Sequence, residues 1–291
     1  MSNINRRDFF KSAAIAAGGT AVTAAPQKRT AVDWVPLGNS GVKVTRLAFG
    51  TGTHGGRIQR ELGQEQFTRL VRHAYDRGIR FFETADAYQG MPQMLASALK
   101  GIPRDSYRLM TKFRWRDAEN PRTTIDRLRK DLNSEYLDIL LLHNVRTPTW
   151  PAQLERLRDE FSEVKSRKII SAHGASCHGL LPLRAFPDNK WLDVALMRIN
   201  HNGVMMDNME GDGKTPGDVN EVTTHIRKIH GQGTGTLGMK IMGEGRFLTP
   251  EDRNASVRYV MKLGAVDAVT IGYKSIAEID EAIERINSHL A

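Results

Sequence analysis

The chain alternates short apolar runs with longer amphipathic runs, eight times over, and this repeat restricts the fold more than any other feature. The apolar runs are predicted strands at 45–51, 79–85, 107–113, 137–143, 168–174, 192–199, 236–242 and 266–272. The amphipathic runs are predicted helices at 64–77, 92–100, 121–133, 151–166, 180–186, 218–231, 250–263 and 276–288. Strands that are apolar throughout are typical of a parallel sheet covered on both faces. Eight strand–helix units in about 250 residues predict an α/β fold, the (β/α)₈ or TIM barrel.

A shorter pattern precedes the first barrel strand. Apolar residues at 34–37 and 42–44 flank a Gly- and Asn-rich turn at 38–41, which predicts a β-hairpin. We expect this hairpin to close the bottom of the barrel, and residues 33–291 to form one domain. The competing open, doubly wound sheet needs a Gly-rich fingerprint after its first strand, and the glycines after residue 50 are too loosely spaced to supply it.

The first residues differ from the rest. Arg6 and Arg7 are followed by two phenylalanines, a lysine and an uncharged, Ala- and Gly-rich stretch at 12–25. This order resembles a twin-arginine export signal, so residues 1–24 are predicted to be a signal peptide read by the twin-arginine translocation machinery. The protein is therefore expected to be periplasmic or otherwise exported. The stretch is too poor in large apolar residues for stable membrane insertion.

Charge and cysteine content exclude several function classes. The net charge is +9, but basic and acidic residues alternate along the predicted helices, and no basic cluster is interleaved with aromatic residues. Nucleic acid is therefore not an expected partner. Cys177 is the only cysteine, so neither an internal disulfide nor a cysteine-ligated metal cluster can form.

Polar residues stand at the ends of three neighbouring predicted strands. Glu83 lies near the end of the second strand and Tyr88 just after it, Lys112 is near the end of the third, and His143 ends the fourth. In a barrel of this kind, chemistry takes place at the carboxyl ends of the strands. A lysine at the end of an apolar strand is costly without a carboxylate partner, and Glu83 can provide one. These four residues, called the tetrad below, are predicted to converge.

The tetrad and its surroundings resemble the aldo-keto reductase superfamily across residues 33–291. The hairpin followed by 47–52 is similar to the family's first strand, and 78–90 is similar to the segment that carries its catalytic tyrosine. The resemblance implies a NAD(P)-dependent oxidoreductase that transfers hydride between the cofactor and a small-molecule carbonyl or alcohol substrate. NADP is the expected cofactor, with NAD as the second candidate.

The same resemblance implies a role for each tetrad residue. Tyr88 is the acid/base, Lys112 its activator, and His143 orients the carbonyl. Glu83 stands where the family has aspartate; Asp86, two residues before the tyrosine, does not match that position. We expect the Lys112 ammonium to lower the pKa of Tyr88, because a neighbouring cation favours the phenolate.

The resemblance also implies a set of cofactor-binding residues. Ser176 would hold the carboxamide, and Asn200 ends the sixth strand. The expected phosphate-binding residues are Gly243, Arg246, Lys274 and Ser275. Three positions depart from the family pattern, namely Cys177, Glu278 and Ala282, and the last two weaken the case for the phosphorylated dinucleotide.

Two other functions remain open at this point. The departures from the family pattern would suit a barrel that binds a ligand without redox turnover. Histidines near strand ends, together with Glu83, would suit a metal-dependent isomerase or hydrolase; they are His54, His173, His178 and His201. No metal site is expected, because the first strand does not end in His-x-His and no carboxylate accompanies His173 or His201.

Overall fold

The computed structural model describes residues 28–115 and 120–290. An antiparallel hairpin of β1 (Trp34–Pro36) and β2 (Lys43–Thr45) comes first. The strands that follow are β3 (Leu47–Gly50), β4 (Phe81–Glu83), β5 (Arg108–Phe113), β6 (Leu137–Val145), β7 (Ile170–Cys177), β8 (Val194–Arg198), β9 (Gly235–Met239) and β10 (Ala268–Gly272). These eight are parallel and form a closed barrel in chain order, with β10 pairing both β9 and β3. The predicted (β/α)₈ barrel is confirmed. The predicted signal peptide lies outside the described residues.

Helices follow the barrel strands and cover the outside of the sheet. They are α1 (Arg57–Glu61), α2 (Gly63–Asp76), α3 (Met91–Leu99), α4 (Pro121–Asp131), α5 (Trp150–Gln153), α6 (Glu155–Ser166), α7 (Leu180–Leu183), α8 (Val219–Gly231), α9 (Pro250–Lys262) and α10 (Ile276–Leu290). Three details differ from the sequence prediction: α1 is additional, the helix expected at 151–166 breaks at Leu154, and the one expected at 180–186 is only one turn long. In the part of the chain that the structure describes, no helix is long and apolar enough to cross a membrane.

The barrel interior is an apolar core made by alternate residues of the strands. Its members include Ala48, Phe81, Met110, Ile139, Leu141, Ala172, Val194, Leu196, Leu237 and Ala268. Leu37 and Val44 of the hairpin pack into the same cluster, so the hairpin closes the amino-terminal end of the barrel. Since inward residues recur every second position, the next inward layer includes Glu83, Lys112, His143 and Arg198. The strand pattern therefore places three members of the tetrad, Glu83, Lys112 and His143, at the open, carboxyl end.

A second core lies between the sheet and the helices. Helix α2 illustrates it, because Phe67, Leu70, Val71 and Ala74 fall on one face at helical spacing and are all buried. Phe67 packs edge-on against Phe49 of β3, with ring centroids 5.9 Å apart. Burying a large apolar side chain of this kind stabilises the fold by about 1.5–3 kcal/mol. This layer holds each strand end in a fixed position.

Candidate active site

Glu83 and Lys112 form a buried ion pair at the centre of the site. The Lys112 ammonium donates to Oε1 of Glu83 and to the backbone oxygen of Thr84, the latter at 2.9 Å. The two side chains are only 2% and 6% exposed. The other carboxylate oxygen of Glu83 accepts from the Thr270 hydroxyl at 3.1 Å. Both charges are therefore compensated, and the lysine is held rigidly.

Tyr88 lies in the loop between β4 and α3, against two other members of the tetrad. The Lys112 nitrogen is 4.9 Å from the centroid of the tyrosine ring. His143 meets the same ring edge to face, with centroids 5.6 Å apart and planes at 87°. The backbone oxygen of His143 accepts from the indole of Trp115 at 2.9 Å. The structure thus brings together all four residues that the sequence singled out.

The pKa of Tyr88 is raised well above its usual value of 10.0, mainly by burial and further by the carboxylates of Glu83, Glu244 and Asp86. The expectation that Lys112 lowers this pKa is therefore wrong. The reason is that burial disfavours the phenolate, and the carboxylate of Glu83, which is bound to Lys112, disfavours it further. The phenol remains a proton donor over the whole neutral pH range.

Asp86 takes no part in the buried ion pair. Its carboxylate accepts from the backbone nitrogen of Arg114 at 2.9 Å and lies 3.7 Å from the guanidinium of Arg127. It therefore fixes the chain after β5. Of the two acids weighed from the sequence, Glu83 is the one that contacts Lys112.

A cavity of about 530 Å³ runs from three members of the tetrad to the start of α10, and within residues 28–115 and 120–290 His143 is not part of its lining. Glu83, Tyr88 and Lys112 line one end, and Lys274 and Glu278 line the other. Sequence reasoning missed one residue that shapes it, Gly52. A Cβ atom at Gly52 would lie 2.5 Å from the Tyr88 hydroxyl oxygen, so only glycine leaves room for the phenol there.

Sequence reasoning also missed an ion pair across the cavity, the Lys240–Glu244 bridge. Lys240 follows β9, and its nitrogen lies 2.6 Å from Oε1 of Glu244. The same oxygen accepts from the backbone nitrogen of His54 at 3.3 Å, which ties the loop after β9 to the loop after β3. The sequence feature that could have indicated this ion pair is a lysine directly after an apolar strand, with a glutamate four residues later. Both charged side chains line the cavity.

Ser176 and Asn200 are fully buried, and their polar atoms bind backbone. The Ser176 hydroxyl accepts from the backbone nitrogen of Asn144 at 2.9 Å. The Asn200 amide donates to the oxygens of Val204 and Lys240 at 2.7 and 3.2 Å. Its oxygen accepts from the nitrogens of Asn202 and Gly203, at 3.2 and 2.9 Å. Ser176 therefore holds the end of β6, and Asn200 holds the loops beyond β8 and β9. Neither residue lines the cavity among the described residues.

Of the four expected phosphate-binding residues, only one lines the cavity among the described residues. Gly243 lies in a one-turn 3₁₀ segment at 243–245, and exposed Arg246 donates to the backbone oxygen of Gly213 at 3.4 Å. In the described part of the chain, Gly243, Arg246 and Ser275 stay outside the cavity lining, whereas Lys274 is part of it.

The start of α10 already contains a carboxylate. Glu278 accepts from the backbone nitrogen of Lys274 at 2.8 Å and lies 3.9 Å from the ammonium of the same lysine. The Ser275 hydroxyl accepts from the backbone nitrogen of Glu278 at 3.3 Å, as a helix cap does. The helix amino terminus and the lysine would both attract an anion, and Glu278 occupies that position.

The histidines considered as metal ligands lie apart. His173 stacks on Trp191, with ring centroids 4.5 Å apart, and burial lowers the pKa of His173 to about 4. His201 packs against Phe247. Over residues 28–115 and 120–290, no group of three or more His, Cys, Asp or Glu residues could hold a metal ion.

Comparison with solved structures shows the same fold. A putative aldo-keto reductase from Pseudomonas aeruginosa superposes with a TM-score of 0.72 at 19% identity, covering 91% of this chain and 99% of that one. The holo form of aldo-keto reductase AKR11C1 from Bacillus halodurans gives a TM-score of 0.69 at 18% identity, covering 89% and 95%.

Comparison with curated proteins finds partial relatives. L-galactose dehydrogenase of Arabidopsis thaliana is 32% identical over 149 residues, which are 45% of this chain and 46% of that protein. Probable aldo-keto reductase 1 of Glycine max is 29% identical over 126 residues, or 39% and 36% of the two chains. The chain thus spans less than half the length of these curated relatives.

The family model covers nearly the whole barrel. The model of the aldo/keto reductase family matches residues 46–290, from the start of the first barrel strand to the last helix. This range contains the tetrad and every residue that lines the cavity. The chain therefore belongs to the aldo/keto reductase family.

Proposed function

We propose that this oxidoreductase transfers hydride between a nicotinamide dinucleotide and a carbonyl or alcohol group of a small molecule. One observation carries the proposal: a single cavity joins the Glu83, Tyr88 and Lys112 end to the Lys274 end. A cavity of this shape suits an elongated cofactor whose reactive ring lies beside Tyr88. The bound dinucleotide would supply or accept the hydride, which no side chain can do.

The chain's own residues would handle the proton. Because burial keeps the pKa of Tyr88 high, its hydroxyl is protonated and can donate to a carbonyl oxygen. His143, packed against the ring of Tyr88, would provide a second polar group for the same oxygen. The Glu83–Lys112 pair fixes a compensated cation under the tyrosine, so little reorganisation is needed during the reaction.

The residues at the start of α10 favour one of the two candidate cofactors, NAD and NADP, over the other. The sequence predicts NADP, with NAD second. We propose the reverse order, because the Glu278 carboxylate occupies the position beside Lys274 that a 2′-phosphate would need. A phosphate there would meet a like charge, whereas a ribose hydroxyl could donate to the carboxylate.

Replacing Tyr88 by phenylalanine tests the proposal. Removal of one hydroxyl should lower kcat by about 10²–10⁴-fold, the usual contribution of a general acid, and leave dinucleotide affinity unchanged. Stopped-flow hydride transfer and fluorescence titration with NADH and NADPH measure the two quantities separately. Wild-type protein that binds neither dinucleotide would overturn the proposal.

A barrel that binds ligand without redox turnover is the second candidate. It is favoured by one observation: the polar atoms of Ser176 and Asn200 bind backbone rather than facing the cavity. The same titration separates the candidates, because this alternative requires millimolar or absent affinity for both dinucleotides.

We also propose export through the twin-arginine route, on the strength of Arg6, Arg7 and the uncharged stretch after them. An exported reductase cannot exchange its dinucleotide freely, so tight binding before translocation is part of this proposal. Replacing both arginines by lysine should retain the protein inside the cell in a fractionation experiment. Unchanged secretion of the double variant would contradict the proposed route.

A further inference from the structure

A hydroxyl from the last barrel strand reaches the buried ion pair of the site. Thr270 lies on β10, and its hydroxyl donates to Oε2 of Glu83 on β4 at 3.1 Å. Lys112 donates to the other carboxylate oxygen, Oε1. Each oxygen of the carboxylate therefore has its own donor. Because Thr270, Glu83 and Lys112 all line the cavity, this hydrogen bond lies within the candidate active site.

The hydrogen bond crosses an intervening strand, β3, which lies between β10 and β4 in the barrel. Thr270 pairs in register with Ala48 of β3, and Glu83 pairs with Gly50, two residues further along the same strand. A Cβ atom at Gly50 would lie 2.6 Å from the Thr270 hydroxyl oxygen and 3.1 Å from Oε2 of Glu83. Glycine at position 50 therefore leaves the space through which the hydroxyl and the carboxylate meet.

A second donor matters because a glutamate side chain is flexible. The torsion that turns its carboxylate is broad, so one hydrogen bond alone does not fix the orientation of that group. Thr270 is a β-branched residue, whose first side-chain torsion is restricted, and it is therefore a donor of well-defined position. Hydrogen bonds to an ionised group are also stronger than those between neutral groups. With both oxygens held, the Lys112 nitrogen is fixed 4.9 Å from the centroid of the Tyr88 ring.

We propose that Thr270 is a positioning residue for the reaction: its hydroxyl orients Glu83, and Glu83 sets the place of the Lys112 ammonium beside Tyr88. Thr270 acts through Glu83 and needs no contact with the reacting atoms. The inference rests on the proposed function and adds to it a residue that supports the tetrad from β10.

Replacing Thr270 by valine tests the inference, because valine has a similar shape and lacks the hydroxyl. We expect kcat to fall by up to about 10²-fold, as small displacements of catalytic groups can cause, with KM and the dinucleotide affinities nearly unchanged. Thr270→Ser keeps the hydroxyl and should recover most of the lost kcat. Thr111→Val is the matched control and should leave kcat as it is. Thr111 precedes Lys112 on β5 and is fully buried, and its hydroxyl has no hydrogen-bond partner among residues 28–115 and 120–290.

Two further measurements distinguish positioning of the ion pair from a general structural role. In protein free of dinucleotide, the ammonium protons of Lys112, followed by nitrogen NMR, should exchange with water several-fold faster in Thr270→Val than in the wild type. A double-mutant cycle tests whether Thr270 acts through Glu83. Glu83→Asp shortens the acid by one methylene and draws its carboxylate away from Thr270. Adding Thr270→Val to Glu83→Asp should therefore change kcat by less than about twofold.

Wild-type kcat and wild-type ammonium exchange in Thr270→Val would overturn the inference while the redox function stands. The same conclusion would follow if Thr270→Ser lost as much kcat as Thr270→Val, or if Thr270→Val had its full effect in the Glu83→Asp protein. A wild type that binds neither dinucleotide and shows no turnover would instead overturn the proposed function, and the inference with it.

Discussion

Glu83 and Lys112, on the β4–β5 side of the barrel mouth, bind each other and face the cavity, whereas Ser176 and Asn200, on the β7–β8 side, bind backbone. Both pairs are buried polar groups at strand ends, and both are well satisfied. The difference lies in the partner. A side chain bound to another side chain can still present its charge to a ligand, whereas the polar atoms of one bound to backbone are already occupied. We therefore infer that the first side performs the chemistry and that the second shapes the walls.

The largest expected effect follows from breaking the buried ion pair. Lys112→Met leaves the Glu83 carboxylate buried and unpaired, which should lower the free energy of unfolding by about 3–5 kcal/mol. Urea denaturation followed by circular dichroism measures it. Combining this change with Glu83→Gln removes both charges and should restore much of the stability without restoring turnover. A loss below about 1 kcal/mol in the single variant would show that the pair is not structural.

On the opposite side, Asn200→Ala should cost stability and little else. Loss of a buried amide that makes four hydrogen bonds should lower the free energy of unfolding by about 1–3 kcal/mol. Dinucleotide affinity should change by less than about twofold, within the scatter expected for a site not in contact. Lys274→Ala is the comparison variant: because Lys274 lines the cavity, this change should weaken dinucleotide binding and leave the free energy of unfolding unchanged. If Asn200→Ala weakened binding more than Lys274→Ala, the inferred division between the two sides would be wrong.

A smaller effect is expected at the start of α10. Glu278→Gln removes the carboxylate beside Lys274 and should tighten NADP binding several-fold, about 1 kcal/mol, with NAD affinity nearly unchanged. Titration at low and high salt measures it, and salt should reduce the gain. Glu284→Gln, an exposed glutamate on the same helix, should leave both affinities as they are. A wild type that already prefers NADP strongly would reject the proposed order of cofactors.

The smallest expected effect is that of pH, which should leave kcat/KM for carbonyl reduction unchanged. Since the pKa of Tyr88 is raised above 10.0, the donor form persists at every lower pH, and kcat/KM for carbonyl reduction should not fall between about pH 7 and 9. A pH–rate profile in constant ionic strength gives the result. A basic limb with an apparent pKa near 8, absent in Tyr88→Phe with its residual activity, would show that Lys112 lowers the tyrosine pKa after all.

The sequence predicted the barrel and the convergence of the four tetrad residues, because both depend on periodic patterns, while the roles of those residues stay predictions. Alternation of apolar runs defined the strands, and a charged residue at a strand end stood out against the run before it, as at Lys112 and His143. Charge alone indicated a carboxylate partner for Lys112, and the resemblance to the family favoured Glu83 over Asp86.

What the sequence could not predict depends on side-chain partners across long loops. Nothing in a serine or an asparagine indicates whether its hydroxyl or amide will bind a ligand or the backbone of a later loop, as Asn200 does at Lys240. The expected direction of the Tyr88 pKa shift was wrong for a similar reason, because burial and the nearby carboxylates raise that pKa. The role of Glu244 likewise depends on contact with His54, 190 positions earlier in the chain.

The hydrogen bond from Thr270 to Glu83 joins residues 187 positions apart, and it comes from the last strand of the barrel. During synthesis, Glu83 can form its bond with Thr270 only after almost the entire chain has left the ribosome. A product that stops short of β10 would lack that partner and would also leave β3 and β9 as unpaired strand edges, which invite aggregation. A chain that stops before β10 is therefore expected to lack a complete site and to be prone to aggregation.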